Sequence, residues 1–194
     1  MRIDAGWSPL CDEEPPSPGN WGVLKVSAVT SGRYLPGESK TLLAGLTPRP
    51  EIEVKSGDVI MCRANGAEEL VGTVAIVIDT PTKLMLSDKT LRLIANAAVM
   101  DHGYLYHYMQ SWHARKQISS LLSGSSGQKN ISQKYIRSIE IPVPVLNRQR
   151  QVVNAISAAE ERIHAEDISL RVLRTVKQGI IDDLLTGRIR VPAG

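Results

Sequence analysis

Phenylalanine is absent from this 194-residue chain, and aromatic residues supply only 4% of it. The hydrophobic fraction of 42% is ordinary for a globular protein, so aliphatic side chains must fill the core. A chain of this length buries one unaided and suggests a single domain, alone or with an appendage. Cysteine is scarce: Cys11 and Cys62 lie far apart and in no metal-ligand spacing. They read as two reduced thiols in a cytosolic protein, a single disulfide being the alternative. No apolar run approaches the ~18 residues of a membrane span, so no membrane association is expected. The opening Met1-Arg2-Ile3-Asp4 lacks the apolar stretch of a secretory leader.

A charge excess is missing as well. The net charge is +3; residues 1–145 hold 15 Lys/Arg against 14 Asp/Glu, and residues 146–194 hold 8 against 6. That excludes a histone-like polycation and leaves room for a local basic patch. Catalytic signatures are also lacking: no glycine-rich phosphate loop ending in Lys-Ser/Thr, no His-Glu-x-x-His, no nucleophile elbow, no Cys-x-x-Cys. His102, His107, His113 and His164 do not share a helix face in pairs and read as ordinary surface or core histidines. Asp182 and Asp183 are adjacent on a helical pattern and point apart, so they make no catalytic pair. Gly124-Ser-Ser-Gly127 matches the Gly-x-x-Gly of RNA-clamping loops, but its flanking elements give no such core. No enzyme, cofactor or metal site is expected.

What is present divides in two. Residues 6–20 are rich in Pro, Ser and Glu and read as loop. Strands are expected over residues 21–30, 59–63, 71–78, 84–86 and 90–94, where β-branched residues alternate or run together between turns at Gly32, Pro36-Gly37, Gly57-Asp58 and Asn65-Gly66. From Asp101, a plausible N-cap, the period becomes helical through Tyr104, Leu105, Tyr108, Met109, Trp112, Ile118, Leu121 and Leu122, ending near Ser123. A short helix over 132–137 and a strand over 139–143 follow, closed by Pro142 and Pro144.

From about Asn147, a fair N-cap, to Thr186 the pattern is one long helix of ~60 Å. Val152, Ile156, Ala159, Ile163, Leu170, Leu173, Ile180 and Leu184 form a seam in alternating steps of three and four, interrupted where Glu166 and Lys177 hold seam positions. Ile168, Val172 and Val176 widen it, which suggests more than one facing helix. Such a seam needs a partner; the alternative is a helix folded back on its own domain. The expected fold is α+β: a β-rich globular domain over 1–145, a single coiled-coil helix over 146–187, and a tail over 188–194.

Several segments resemble type I restriction–modification specificity (S) subunits. They are Gly6-Trp7-Ser8-Pro9, Trp21-Gly22-Val23-Leu24-Lys25, Gly57-Asp58-Val59-Ile60, Arg63-Ala64-Asn65, Leu70-Val71-Gly72, Leu86-Ser87-Asp88-Lys89 and Asn130-Ile131-Ser132. The Pro-rich run over 139–146 and the closing Leu184-Leu185-Thr186-Gly187 on a long helix complete the set. The order of these motifs is more specific than any one of them. Two departures stand out. The family usually opens its spacer helix with Glu-Gln where this chain has Arg148-Gln149, and a cation near a helix N-terminus is mildly unfavourable. Family domains generally carry a further short segment ahead of the Gly-Trp-Ser-Pro stretch.

The resemblance implies a non-catalytic, cytoplasmic DNA-recognition subunit with one target-recognition domain and one spacer helix, half of the usual pair of each. It would join a second copy or a different half-subunit through Val152, Ile156, Ile163, Leu170, Leu173, Ile180 and Leu184. It would position DNA methyltransferase subunits, and a restriction subunit, on double-stranded DNA. The basic segment 124–150 offers Lys129, Lys134, Arg137, Arg148 and Arg150 against the single acid Glu140. Gln128 and Asn130 in its loop can pair with adenine, and Arg63 with Asn65 at a strand-end turn form a second group; Lys89 is a further DNA-contact candidate. The competing readings are a recognition module of another DNA-modifying assembly and a scaffold protein that uses the helix to dimerise.

Overall fold

The computed structural model describes residues 1–125 and 127–190. Ser126 of the Gly-Ser loop and the last four residues, including the end of the expected tail, lie outside the described residues. The chain forms two compact units, Met1–Arg150 and Gln151–Gly194.

The first unit is built on a central strand that is apolar on both sides. The strand β5 (Val59–Cys62) is buried at every residue. It lies in an antiparallel four-stranded sheet with β1 (Arg2–Ala5), β9 (Thr90–Ile94) and β7 (Val74–Ile76), in the order β1-β9-β5-β7. Alternation sends Val59 and Met61 to one face and Ile60 and Cys62 to the other. The first pair joins Leu91, Leu93 and Val74 against the helices α2 (His102–Gln110), α3 (Trp112–Ser120) and α4 (Gln133–Arg137), through Leu105, Met109, Ile118 and Ile136. The second pair meets Leu24, Ala28, Val29, Leu84 and Leu86. This double burial explains why the sequence runs apolar there without alternation.

Leu24 and Leu84 belong to a second four-stranded sheet, ordered β2-β4-β3-β8, of β2 (Cys11–Asp12), β4 (Ser39–Leu42), β3 (Gly22–Leu24) and β8 (Leu84–Met85), Ala28 and Val29 to the short helix α1 (Ser27–Thr30), and Leu86 follows β8. The strand expected over 21–30 therefore stops at Leu24 and turns helical. The strand expected over 71–78 contracts to β7, because residues 68–70 form a tight helical turn held by Arg115, whose guanidinium donates to the carbonyls of Val71 and Glu69.

Arg92 alternates to the face of β9 opposite Leu91 and Leu93, beside Ile60, and is only 7% exposed. It donates to Asp4 at 2.9 Å, to Asp58 at 3.1 Å and to the carbonyls of Glu51 and Glu53. Burial works against its charge, but the hydrogen bonds to Asp4 and Asp58 outweigh that and raise its pKa. It ties β1, β9 and the turn before β5 into one body.

The helix expected from Asp101 to Ser123 is two helices. Asp101 caps α2 through the Tyr104 N–H. Ser111 ends α2 and caps α3, its hydroxyl accepting from the Ala114 N–H at 3.3 Å. A serine side chain that serves a new N-terminus stops the old helix and resets its phase. Trp112 consequently lies 67% exposed instead of joining the core.

The strand expected over 139–143 is not part of any sheet. Residues 139–145 form a strap whose carbonyls are caught by side chains at every second residue. Glu140 accepts from Tyr108 at 2.8 Å and from Gln117 at 3.1 Å, Pro142 from Tyr104 at 3.0 Å, and Pro144 from Gln149 at 2.6 Å.

The second unit is helical. The helix α5 (Leu146–Leu185), whose first turn lies in the first unit, is 40 residues long. It starts at Leu146: Val145 supplies the carbonyl that accepts from the Arg148 and Gln149 N–H groups, so Asn147 is inside the helix and not its cap. Gly187, at φ 74°, closes it, with its N–H on the Leu184 carbonyl. Among the described residues no helix is long and apolar enough to cross a membrane.

Candidate nucleic-acid interface

Members of the two groups of DNA-contact candidates, Arg63 and Asn65 from one and Lys129 and Asn130 from the other, more than sixty residues apart in sequence, meet in one ribbon. The strands β6 (Ala64–Asn65) and β10 (Lys129–Asn130) pair antiparallel, Lys129 opposite Asn65 and Asn130 opposite Ala64. The Ile131 N–H donates to the Arg63 carbonyl at 3.0 Å, and the Arg63 N–H to the Lys89 carbonyl at 2.8 Å. Arg63, Asn65, Lys89, Gln128, Lys129 and Asn130 thus surround one backbone junction. Ile131, fully buried among the helices, anchors it to the core.

The loop before β10 is a hairpin. Ser123 and Asn130 exchange two backbone hydrogen bonds of 2.9 Å, and Gln128 donates from its N–H to the Ser125 carbonyl. Gly124 sits at φ 116°, where a Cβ would collide with the Gln128 carbonyl. Only glycine closes this turn.

The side chains divide by what already holds them. Asn65 accepts the Ala67 N–H on its side-chain oxygen at 3.0 Å, and Asn130 accepts the Ser123 hydroxyl at 3.1 Å. Both amides therefore have their acceptor engaged in shaping the turns. Lys129 lies 3.7 Å from Glu68, a counter-ion the sequence did not flag. Gln128 and Lys89 are exposed, and Arg63 is half-buried. Lys134 and Arg148 are exposed on other elements, α4 and the first turn of α5. Beneath the ribbon Cys62 is fully buried, and burial pushes its thiol pKa up to about 11. It is a core thiol, and Cys11 is also free.

Gln149, the second residue of the Arg148-Gln149 pair, holds the corner between the strap and α5. Fully buried, it accepts the Asp101 N–H at 2.8 Å and donates to the carbonyls of Val99 at 2.8 Å and Pro144 at 2.6 Å. The available signal was its place as the second half of the pair that usually reads Glu-Gln. On α5, Val152 and Ile156 are half-buried, whereas Ile163, Leu170, Leu173, Ile180 and Leu184 are between 42% and 65% exposed. Among the described residues no cluster of His, Cys, Asp and Glu is arranged to hold a metal.

A β-rich head carrying a basic ribbon, with a long apolar-seamed helix after its Pro-rich strap, is the arrangement of a DNA specificity domain. The family model for the type I restriction modification DNA specificity domain matches residues 22–172, and the chain belongs to that family. It is 38% identical over 157 residues to the type I restriction enzyme EcoEI specificity subunit of Escherichia coli, covering 80% of this chain and 26% of that protein. It is 26% identical over 149 residues to the MjaVIII specificity subunit of Methanocaldococcus jannaschii, covering 75% and 34%. The chain thus spans about a quarter to a third of the length of these relatives. The crystal structure of the HsdS subunit from Thermoanaerobacter tengcongensis shares the fold, with a TM-score of 0.59 at 21% identity over 100% of this chain and 52% of that one.

Proposed function

We propose that the chain reads DNA sequence for a type I restriction–modification system, with residues 1–145 as the reading head and 146–187 as a spacer helix that joins it to partners. The observation that carries this reading is the pairing of Lys129 with Asn65, which gathers Arg63, Lys89, Gln128 and Lys129 around one anchored ribbon. A two-stranded ribbon fits the major groove, where Arg reads guanine and Gln reads adenine by paired hydrogen bonds. Lys89, Lys129, Lys134 and Arg148 supply phosphate contacts, which position without specifying. Asn65 and Asn130 hold the turns that present these groups.

The helix seam, Val152 through Leu184, associates with a second copy or a different half-subunit, and the assembly positions methyltransferase and restriction subunits on DNA in the cytoplasm. The support is the exposure of Ile163, Leu173 and Ile180, since a stripe of this length left in water favours a helical partner. The head itself performs no chemistry. Selection of pooled random duplex DNA by the chain, at several salt concentrations, tests the reading. Enrichment of a defined motif, with affinity that falls steeply with salt, is expected. Binding without enrichment, or none, refutes it.

A further inference from the structure

Two charged residues, Glu166 and Lys177, interrupt the apolar seam of α5. The seam residues that flank them, Ile163, Leu170, Leu173 and Ile180, are between 45% and 65% exposed in the single chain. Glu166 and Lys177 are exposed too, and among the described residues neither has an ion-pair partner. Association through this seam buries both. A charge in a seam weakens association unless an opposite charge meets it, so these two residues restrict how α5 can pair.

In a parallel, in-register pair each seam residue faces its own counterpart. Glu166 then faces Glu166 and Lys177 faces Lys177, which sets like charges against each other in both layers. In an antiparallel pair the seam runs in opposite directions in the two helices. The register that sets Leu170 against Leu173 of a second copy also sets Glu166 against Lys177, Ile163 against Ile180 and Ala159 against Leu184. Both charges of each chain are then matched, and every other layer between 159 and 184 is apolar. Sliding the helices by one heptad sets Glu166 against Leu170 or Leu184 and leaves both charges unmatched. Beside the seam the matched register brings Asp167 opposite Arg174. It also brings Arg162 opposite Asp183, which in its own chain lies 3.7 Å from Arg188 at the surface. Charges flanking a seam set partner choice and orientation, and here none meets its like.

We propose that α5 pairs antiparallel with α5 of a second copy of this chain, and that Glu166 of each copy facing Lys177 of the other fixes the register. This rests on the reading of the seam as an association surface, and it chooses between the two partners of that reading. The pairing is self-complementary: a two-fold axis between Arg171 and Val172 makes both ion pairs from one sequence. The two charges give up some stability relative to an apolar seam and disfavour the parallel and slipped alternatives.

Sedimentation equilibrium of the full chain tests the assignment. The parent is expected to dimerise. Glu166→Lys sets Lys against Lys in both charged layers, and Lys177→Glu sets Glu against Glu. Each is expected to weaken dimerisation by about tenfold or more. The double variant exchanges the charges and is expected to dimerise as tightly as the parent, and an equimolar mixture of the two single variants is expected to form a heterodimer of parent affinity. Both positions are exposed in the single chain, so the variants keep their fold, and unchanged thermal unfolding of residues 1–145 checks this. Single variants that match a dimeric parent, or a double variant as weak as either single one, overturn the register and leave helical association standing. A parent that stays monomeric overturns self-pairing and leaves DNA reading by the head untouched.

Discussion

Gln149 donates from its side-chain amide to the carbonyl of Pro144, five residues earlier, at 2.6 Å. Where the strap gives way to α5, main-chain groups of the strap and of the segment before α2 need partners that no strand supplies. Gln149 turns the corner by serving the strap, the Val99 carbonyl and the Asp101 N–H together. Gln149→Ala removes all three hydrogen bonds of a fully buried side chain. A loss of about 2–4 kcal/mol is expected, read by urea unfolding. A loss under about 0.5 kcal/mol refutes the role assigned to the residue.

At the ribbon, Arg63→Ala and Lys129→Ala are expected to act differently. Lys129→Ala weakens all duplexes alike and lowers the slope of log K against log salt by about 1, because one phosphate contact disappears. Arg63→Ala costs about 1–3 kcal/mol on the selected site and relaxes preference at one base pair. Titrations of selected and scrambled duplexes at several salt concentrations separate the two. Identical behaviour of both variants and the parent places the reading surface elsewhere.

For the helix, Ile163→Asp and Leu170→Asp are expected to abolish association in sedimentation velocity while the thermal unfolding of the head is unchanged. Both positions are well exposed in the isolated chain, 62% and 45%, so the charge meets a penalty only in the assembly. An unchanged sedimenting mass contradicts the coiled-coil proposal.

Cys62 provides a pH signature. Its thiol is raised from an ordinary value near 9 to about 11 by burial. Below pH 9 it is protonated in both folded and unfolded chains. Between 9 and 11 only the unfolded chain releases the proton, so stability falls as pH rises through that window. The melting temperature of the parent is expected to fall more steeply there than that of Cys62→Ala. Cys62 should also stay unmodified by alkylating reagents at pH 8 until the chain unfolds. Rapid native-state labelling of Cys62 excludes this picture.

The legible parts of the sequence were those fixed by local pattern. The helix α5, the cap at Asp101 and the buried run Val59–Cys62 follow from spacing and residue type alone. The strand β1 and the pairing of β6 with β10 were not legible: each depends on a partner remote in sequence, and two-residue strands carry almost no periodic signal. Ser111 misled because a helix break made by a serine cap looks, in periodicity, like continuation. Arg63 and Gln128 were chosen by chemistry as separate groups; that they surround one junction needed three dimensions.

The hairpin of Gln128 is expected to enter a groove of specific DNA. A photo-crosslinking side chain at Gln128, irradiated with a selected duplex, tests it most directly. Crosslinks to bases within the enriched motif are predicted, with none from the same side chain at Ile78, an 82% exposed position in another loop. Crosslinking at Ile78 but not at Gln128 contradicts the account.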